Sequence, residues 1–152
     1  MNSRQTLEVT NRMVMEIASR TENIALVRVA VAIFASELEF TLGELEEIKV
    51  AVSEAVSNAV RHGYAGQDGT VRLEAVITGT RLEVNVEDFG RGMANIEEAR
   101  RAAAANDDPE RMGMGFIFME SFMDRVTVDS VEGQGTKVRL EKEGKLNKQE
   151  GN

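Results

Sequence analysis

The chain has 152 residues, of which 42% are hydrophobic, and its 18 basic and 26 acidic side chains give a net charge of −8. This size and apolar content predict one compact domain with its own core. The acidic balance, without a Lys/Arg cluster, excludes direct binding of nucleic acid through a basic face. The chain contains no cysteine, which excludes disulfide frameworks and thiolate metal sites. Because no apolar run suits a signal peptide or a membrane span, we expect a cytoplasmic protein.

The first elements predicted are a strand and a helix. Residues 1–12 form an N-terminal extension, and apolar and polar side chains then alternate over residues 13–17, which predicts an edge strand. Ser19 with Glu22, or alternatively Thr21, can cap the helix that follows. The apolar residues of this helix step by three and four: Ile24, Val27, Val31, Phe34 and Leu38.

A second helix begins at a capping box. Thr41 is followed three residues later by Glu44, the pair that satisfies the free amides of a helix N-terminus from both sides. The predicted helix ends near His62 and Gly63. Its apolar stripe consists of Leu45, Ile48, Val52, Ala55, Val56 and Ala59.

The remaining elements are mostly strands. Two segments of alternating apolar residues, 71–77 and 82–86, flank a short glycine turn and predict a β-hairpin. Residues 93–112 show no strand pattern, and a connection of this length in a small domain is often a functional lid. A helix over residues 115–123 and a closing hairpin with a turn at 132–135 complete the prediction.

These elements predict the fold class. Helices that cluster early around an antiparallel sheet favour an α+β two-layer sandwich. We expect a mixed, mostly antiparallel sheet with the helices on one face. We place a single domain at residues 1–141, and the Lys/Glu/Gly mixture of residues 142–152 predicts a disordered tail.

Glu54 and Asn58 are the first candidate site residues. They are four positions apart, so their side chains share one helix face, which points away from the main apolar stripe. An amide oxygen can contact Mg²⁺ while a carboxylate orients or deprotonates a nucleophile. A solvated helix face is the alternative interpretation, and this spacing alone does not decide between them.

Asp88 continues the inward parity of the second hairpin strand, so its carboxylate is directed toward the core and needs a partner. Gly90 and Gly92 would let the backbone approach a planar ligand closely, and the amino group of adenine would satisfy the carboxylate. Thr136 has the inward parity of the last strand, where its hydroxyl can bond the adenine edge. The alternatives are a turn aspartate that caps its own loop and an ordinary strand threonine.

Gly113 and Gly115 precede a predicted helix that has no capping side chain of its own. Free amides at such an N-terminus attract phosphate oxygens, and Arg111 just upstream can reach a terminal phosphate. A simple loop is the alternative interpretation.

Two common nucleotide sites are excluded. The sequence contains no GxxxxGK[ST] motif, which excludes a P-loop. Asp88, Phe89 and Gly90 spell DFG, but no HRD motif precedes them, which excludes a eukaryotic-type protein kinase. We interpret His62, the single histidine, as a structural residue.

Taken in order, the segments SEAVSNAVRHG, DFGRG and RMGMG resemble the N-, G1- and G2-boxes of the GHKL (Bergerat-type) ATP-binding superfamily. Within that superfamily, residues 15–140 are similar to the anti-sigma-F factors, which are serine protein kinases of sporulation. The segment GMGFIFMESFMD carries much of this similarity. The resemblance departs at the N-terminal extension and in the lid sequence AAAANDDPE.

The resemblance implies a Bergerat sandwich that dimerises, binds ATP and Mg²⁺ and sequesters a sigma factor of the sigma-F type. It also implies phosphorylation of a serine on a STAS-type anti-anti-sigma factor. By position, Glu54 would be the catalytic base, Asn58 the Mg²⁺ ligand, Asp88 the adenine reader and Arg28 a contact for both protein partners. The ATP site would comprise Asn58, Asp88, Gly90, Gly92, Met93, Arg111, Gly113, Met114, Gly115 and Thr136.

Two alternatives remain open at this point, and a third is disfavoured. One is the related general-stress anti-sigma kinase, and another is a non-catalytic module in which ATP only gates partner binding. A histidine-kinase catalytic domain is disfavoured, because no dimerisation helices precede the domain. Phe89 and Arg91 fill the variable positions of the G1-box, and we expect no role for either.

Overall fold

The computed structural model describes residues 8–64, 67–93, 95–97 and 112–147. The strands are β1 (Val9–Ala18), β2 (Thr70–Thr78), β3 (Arg81–Asp88), β4 (Arg125–Val131) and β5 (Gly135–Glu143). The helices are α1 (Ile24–Ala35), α2 (Leu42–Asn58) and α3 (Met112–Phe122), with a 3₁₀ turn at Thr21–Asn23 and a π-helical turn at Ala59–Gly63. Most of the predicted lid, and Arg111 with it, lies outside the described residues.

The strands form one sheet in the order β1-β2-β3-β5-β4, and every neighbouring pair is antiparallel. The predicted α+β class, the β2–β3 hairpin and the edge position of β1 are confirmed. The parallel component of a mixed sheet is not found among the described strands. The central pairing of β3 with β5 sets Asp88 directly opposite Thr136.

The helices cover one face of the sheet, where the core lies. On β2, the inward residues Val71, Leu73, Ala75 and Ile77 are at most 1% exposed, while their neighbours are half-buried. These side chains belong to the same apolar cluster as Val27 and Val31 of α1 and as Ile48 and Val52 of α2. Burial of this cluster is the main force that holds the two layers together.

Helix α2 is capped as its sequence predicts. The Thr41 hydroxyl accepts a hydrogen bond from the Glu44 amide at 3.0 Å, and the Glu44 carboxylate accepts one from the Thr41 amide at 3.0 Å. At its other end the helix widens into the π-helical turn, which finishes at Gly63. Such π-helical turns frequently occur at functional sites, and this one borders the candidate site described below.

Helix α1 differs from its prediction at both ends. Its N-cap is Asn23, which makes no capping hydrogen bond and instead donates from Nδ2 to the Ala18 carbonyl at 2.9 Å. The cap predicted at Ser19 or Thr21 is wrong, because the 3₁₀ turn intervenes. The helix ends at Ala35, and Leu38 is buried by a separate bridge to Leu146.

Helix α3 begins at Met112, three residues before the predicted start at residue 115. Gly113 and Gly115 therefore lie within its first turn and do not form a loop ahead of it. Glycine has a low helix propensity, so a prediction from amino-acid propensities made α3 too short. Packing supplies the stability, because Phe116 and Met119 are at most 3% exposed and belong to the core.

Two further findings concern the ends of the fold and the membrane. Strand β5 continues to Glu143 and Leu146 pairs with Leu38, so regular structure extends past residue 141, where the tail was predicted to begin. In the described ranges, none of the helices combines the length and the apolar character that crossing a membrane requires.

Candidate functional site

A cavity of about 330 Å³ opens between the helical layer and the sheet. It contains five of the residues predicted for the ATP site: Asn58, Asp88, Gly92, Met93 and Thr136. The rest of its lining consists of Ala55, Ala59, His62, Gly63, Val86, Arg91, Phe116 and Val138. Apolar walls with a few converging polar groups are typical of a small-molecule site.

Asp88 lies at the base of this cavity, at the end of β3, and is 5% exposed. One carboxylate oxygen accepts a hydrogen bond from the Gly90 amide at 3.0 Å. Burial raises the pKa of the Asp88 carboxyl above its ordinary value, although the amides of Gly90 and Thr136 act in the opposite direction. A buried carboxylate has more acceptor positions than these amides fill, so Asp88 can bind a ligand that offers an N–H donor.

The glycines around Asp88 allow segments of backbone to approach closely. A Cβ atom on Gly63 would lie 2.7 Å from the Asp88 carboxylate, and one on Gly90 would lie 1.8 Å from the Gly63 carbonyl oxygen. Gly92 has a φ of +65°, and a Cβ there would lie 2.1 Å from the Val131 carbonyl oxygen. Any side chain at these positions would displace the wall that holds Asp88.

Glu54 and Asn58 lie on α2 beneath the first turn of α3. A Cβ on Gly115 would lie 2.9 Å from Glu54 Oε2 and 3.4 Å from Asn58 Nδ2, so the two helices meet at this glycine. Asn58 lines the cavity, whereas Glu54 does not and lies beside it. Burial raises the pKa of the Glu54 carboxyl, and the charge of Arg61 opposes this shift. A raised pKa suits a carboxylate that receives a proton near neutral pH.

The Asn58 carboxamide is suited to a metal that a nucleotide shares. Its Nδ2 is buried and has no hydrogen-bond partner among the described residues. A half-turn about χ2 would place Oδ1, a ligand for hard cations, in the same position. The described residues contain no cluster of three or more acidic or histidine side chains that could hold a metal alone. One protein ligand combined with phosphate oxygens and water is a common arrangement for Mg²⁺.

Helix α3 directs its N-terminal end toward the same region. Phe116 lines the cavity and Gly115 lies against Asn58, so the amides of the first turn lie near the cavity. Helix N-termini attract phosphate oxygens. Gly113 and Met114 belong to this turn, whereas the predicted phosphate contact of Arg111 remains untested because Arg111 lies outside the described residues.

Thr136 lies opposite Asp88 and lines the cavity as predicted, but its hydroxyl has a protein partner that the sequence did not indicate. Thr136 Oγ1 lies 2.8 Å from Ser130 Oγ, and Ser130 Oγ accepts a hydrogen bond from the Met93 amide at 2.7 Å. Ser130 and Thr136 face each other across the β4–β5 hairpin. Met93 lies 37 residues from Ser130 in the sequence, so no local pattern predicts its contact.

Arg91 and His62 were expected to have no part in the site, yet both line the cavity. The Arg91 amide donates to the Gly63 carbonyl at 2.8 Å, and its Nε donates to the His62 carbonyl at 2.9 Å. Arg91 thereby joins the loop after β3 to the π-helical turn. Phe89, by contrast, has a side chain that is 55% exposed, although its amide donates to the Tyr64 hydroxyl.

Arg28 lies apart from the cavity, on an exposed flank of α1. The hydrogen bond and charge of Lys49, with a smaller effect of the Arg28 charge, lower the pKa of Glu46 on α2. Arg28 therefore lies close to the groove between α1 and α2. Val29 and Ile33 of α1 line this groove, and they are 49% and 69% exposed.

The fold and the cavity together define an α+β domain with a small-molecule site between its helices and its sheet. A family model described as "Histidine kinase-like ATPase domain" matches residues 17–142. The proteins named anti-sigma F factor from Clostridium acetobutylicum and from Thermoanaerobacter sp. are 47% and 40% identical to the chain over 133 and 137 residues. These alignments cover 87% and 90% of this chain, and 93% and 96% of the two relatives. The chain therefore belongs to the histidine kinase-like ATPase family and, within it, to the anti-sigma F factor family.

Solved structures agree on the fold. The RsbU and RsbW domains of Rv1364c from Mycobacterium tuberculosis superpose with a TM-score of 0.62 at 21% identity, over 89% of this chain and 32% of that chain. This chain thus spans about a third of that protein. The mycobacterial sensor histidine kinase MprB superposes with a TM-score of 0.55 at 19% identity, over 88% of this chain and 99% of that one. At this identity the likeness concerns the fold alone.

Proposed function

We propose that this protein is an anti-sigma factor and a serine protein kinase. It binds and inhibits a sporulation sigma factor of the sigma-F type. It uses ATP and Mg²⁺ to phosphorylate a serine on a STAS-type anti-anti-sigma factor, which inactivates that factor. A cytoplasmic homodimer is part of the proposal, as the family resemblance implies.

The placement of Glu54 and Asn58 beside the cavity carries this proposal. Asp88 marks the end that accepts the base, and the first turn of α3 marks the end that accepts phosphate, next to Asn58. Glu54 lies at this second end, where a hydroxyl group of a protein substrate would approach the terminal phosphate. The name of the relatives adds the sigma factor as a partner.

The chemistry proposed for this end is phosphoryl transfer. The serine oxygen forms a bond to the γ-phosphorus of ATP, the bond from that phosphorus to the β–γ bridging oxygen breaks, and ADP leaves. Glu54 receives the hydroxyl proton, for which its raised pKa is suited. Asn58 would hold the Mg²⁺ that neutralises the phosphate charge, and the α3 amides would bind phosphate oxygens.

Glu54→Ala tests the division between binding and chemistry. We expect the variant to bind ATP and the sigma factor as the wild type does. Its rate of phosphorylation of the STAS protein should fall by about 100-fold or more. Radiolabel transfer from ATP measures the rate, and calorimetry measures the binding. Glu16→Ala, which removes an exposed carboxylate from β1, is the matched control.

The outcomes separate the alternatives. If Glu54→Ala phosphorylates the STAS protein at the wild-type rate, the assignment of Glu54 as the base is wrong. If the wild type binds ATP and sigma factor but transfers no phosphate, the protein is an ATP-gated binding module. If a general-stress sigma factor binds in preference to one of the sigma-F type, the general-stress kinase is the correct alternative.

A further inference from the structure

Ser130 connects two walls of the cavity. It lies on β4, directly opposite Thr136 of β5, and its Oγ contacts three groups. The Met93 amide donates to it at 2.7 Å, Thr136 Oγ1 lies at 2.8 Å, and the Gly135 carbonyl oxygen lies at 3.2 Å. Met93 and Thr136 both line the cavity, so Ser130 supports the cavity from behind.

The number of protons on these groups limits which hydrogen bonds can form at the same time. Ser130 has one hydroxyl proton, and the Met93 amide already occupies one of its lone pairs. The proton can go to Gly135, in which case Thr136 donates to Ser130 and presents only lone pairs to the cavity. Alternatively it goes to Thr136, whose own proton is then free to point into the cavity.

The distances favour the second arrangement. The 2.8 Å contact between the two hydroxyls fits a hydrogen bond in either direction. The 3.2 Å contact with the Gly135 carbonyl lies beyond the usual range for O–H···O hydrogen bonds, so the arrangement that depends on it is disfavoured. The Met93 amide, the Ser130 hydroxyl and the Thr136 hydroxyl then donate in sequence, and each bond in such a chain strengthens the next. This series of hydrogen bonds ends with a donor at Thr136, opposite the buried acceptor Asp88.

An acceptor beside a donor complements one type of purine edge. Adenine presents its N6 amino donor next to its N1 acceptor, and hypoxanthine presents the reverse, a carbonyl acceptor next to an N1–H donor. A site built to hydrogen-bond one pattern leaves polar groups unpaired with the other.

We propose that Ser130 is a positioning residue that determines base specificity by directing the Thr136 proton into the cavity. This inference rests on the proposed function, in that an adenine nucleotide occupies the cavity. Ser130 itself does not touch the base. Without it, the Thr136 hydroxyl can rotate to donate or to accept, and the Met93 amide loses its partner.

Calorimetry with ATP and with inosine triphosphate, each with Mg²⁺, tests the proposal. For Ser130→Ala we expect the preference for ATP over inosine triphosphate to fall about fivefold or more, the equivalent of one neutral hydrogen bond. Thr136→Val should reduce the preference similarly. The double variant should show no further loss, because Ser130 acts through Thr136. Thr127→Ala, on the outward face of the same strand, should leave the preference unchanged.

Four results would overturn the inference. An equal loss of affinity for both nucleotides in Ser130→Ala would show a merely structural role. Additive effects of Ser130→Ala and Thr136→Val on the preference would show that Ser130 does not act through Thr136. Equal binding of both nucleotides by the wild type would show that the cavity has no base specificity, while the proposed function would remain intact. A wild type that binds neither would overturn the proposed function as well.

Discussion

At the scale of single residues, Asp88 is subject to two opposing demands. Its carboxyl group accepts the strongest hydrogen bond from a nucleotide base when it is ionised, yet burial raises its pKa and disfavours the ionised form. Protonated Asp88 therefore stabilises the unliganded fold below its ordinary pKa, and this contribution is lost as the pH rises through the raised pKa. The ionised carboxylate is thus the costly form in the unliganded protein, and a ligand that donates a hydrogen bond to it offsets that cost.

Asp88→Asn should therefore change affinity and stability in opposite directions. We expect ATP binding to weaken by about 1.5–3 kcal/mol, because the amide loses a charge-assisted bond. The melting temperature of the unliganded protein at neutral pH should stay the same or rise, because the buried charge is removed. Calorimetry and thermal unfolding measure the two effects, with the exposed Asp129→Asn as control. Unchanged ATP affinity in a folded Asp88→Asn protein would exclude Asp88 from the site.

Gly115 is the residue at which α3 approaches Glu54, the candidate catalytic base. A methyl group there would lie 2.9 Å from Glu54 Oε2, and the flexible carboxylate can move away without disturbing the backbone. We expect Gly115→Ala to keep or raise stability, by up to about 1 kcal/mol from helix propensity. Phosphoryl transfer should fall by up to about 100-fold, because the carboxylate is displaced.

Gly43→Ala is the matched control for Gly115→Ala. Gly43 lies in the first turn of α2, and the atom nearest to its added Cβ is Thr41 Oγ1 at 3.8 Å. This variant should gain helix propensity and keep its kinase rate. Equal rates for Gly115→Ala and wild type would show that the position of Glu54 next to α3 is not needed for catalysis.

At the scale of the elements, α1 combines a buried face with an exposed apolar one. Val27 and Val31 are fully buried against the core, whereas Leu26, Val29 and Ile33 are between 49% and 69% exposed. Exposed apolar side chains that share a helix face are typical of protein interfaces, and Arg28 flanks this face next to Val29. This composition supports the prediction that Arg28 contacts both protein partners.

Arg28→Ala tests that surface. Because Arg28 is exposed and has no place in the core cluster, stability should stay within about 0.5 kcal/mol. The affinities for the sigma factor and for the STAS protein should each fall by about 1–3 kcal/mol, while ATP affinity stays unchanged. Surface plasmon resonance measures each partner, with Arg125→Ala on the far edge strand as control. Loss of only one partner would leave a plain contact and remove the competition between them.

At the scale of the whole molecule, local patterns predicted the elements that depend on local forces. The alternation in β2 and β3, the Thr41 capping box and the inward parity of Asp88 and Thr136 are all confirmed. Each depends on residues within one turn or one strand of each other. The side-chain period, two residues in a strand and 3.6 in a helix, determines which side chains share the face toward the core, and it does not depend on the rest of the fold.

The features that the sequence did not reveal depend on contacts between distant segments. The early start of α3 comes from its packing on α2, which compensates for the low helix propensity of its glycines. The parts that Arg91 and Ser130 have in the cavity wall come from loop contacts across 28 and 37 residues of sequence. No single-sequence pattern records which distant backbone group such a residue meets.

Transfer of phosphate to a protein serine is the central claim, and mass spectrometry of the STAS partner measures it most directly. The wild-type protein is incubated with MgATP and the unphosphorylated STAS protein, and the mass of the STAS protein is followed with time. We expect the mass to rise by one phosphoryl group on a single serine, and to rise at least about 100-fold more slowly when Glu54→Ala replaces the wild type. An unmodified STAS protein after prolonged incubation with an ATP-bound, folded wild type would contradict the kinase assignment.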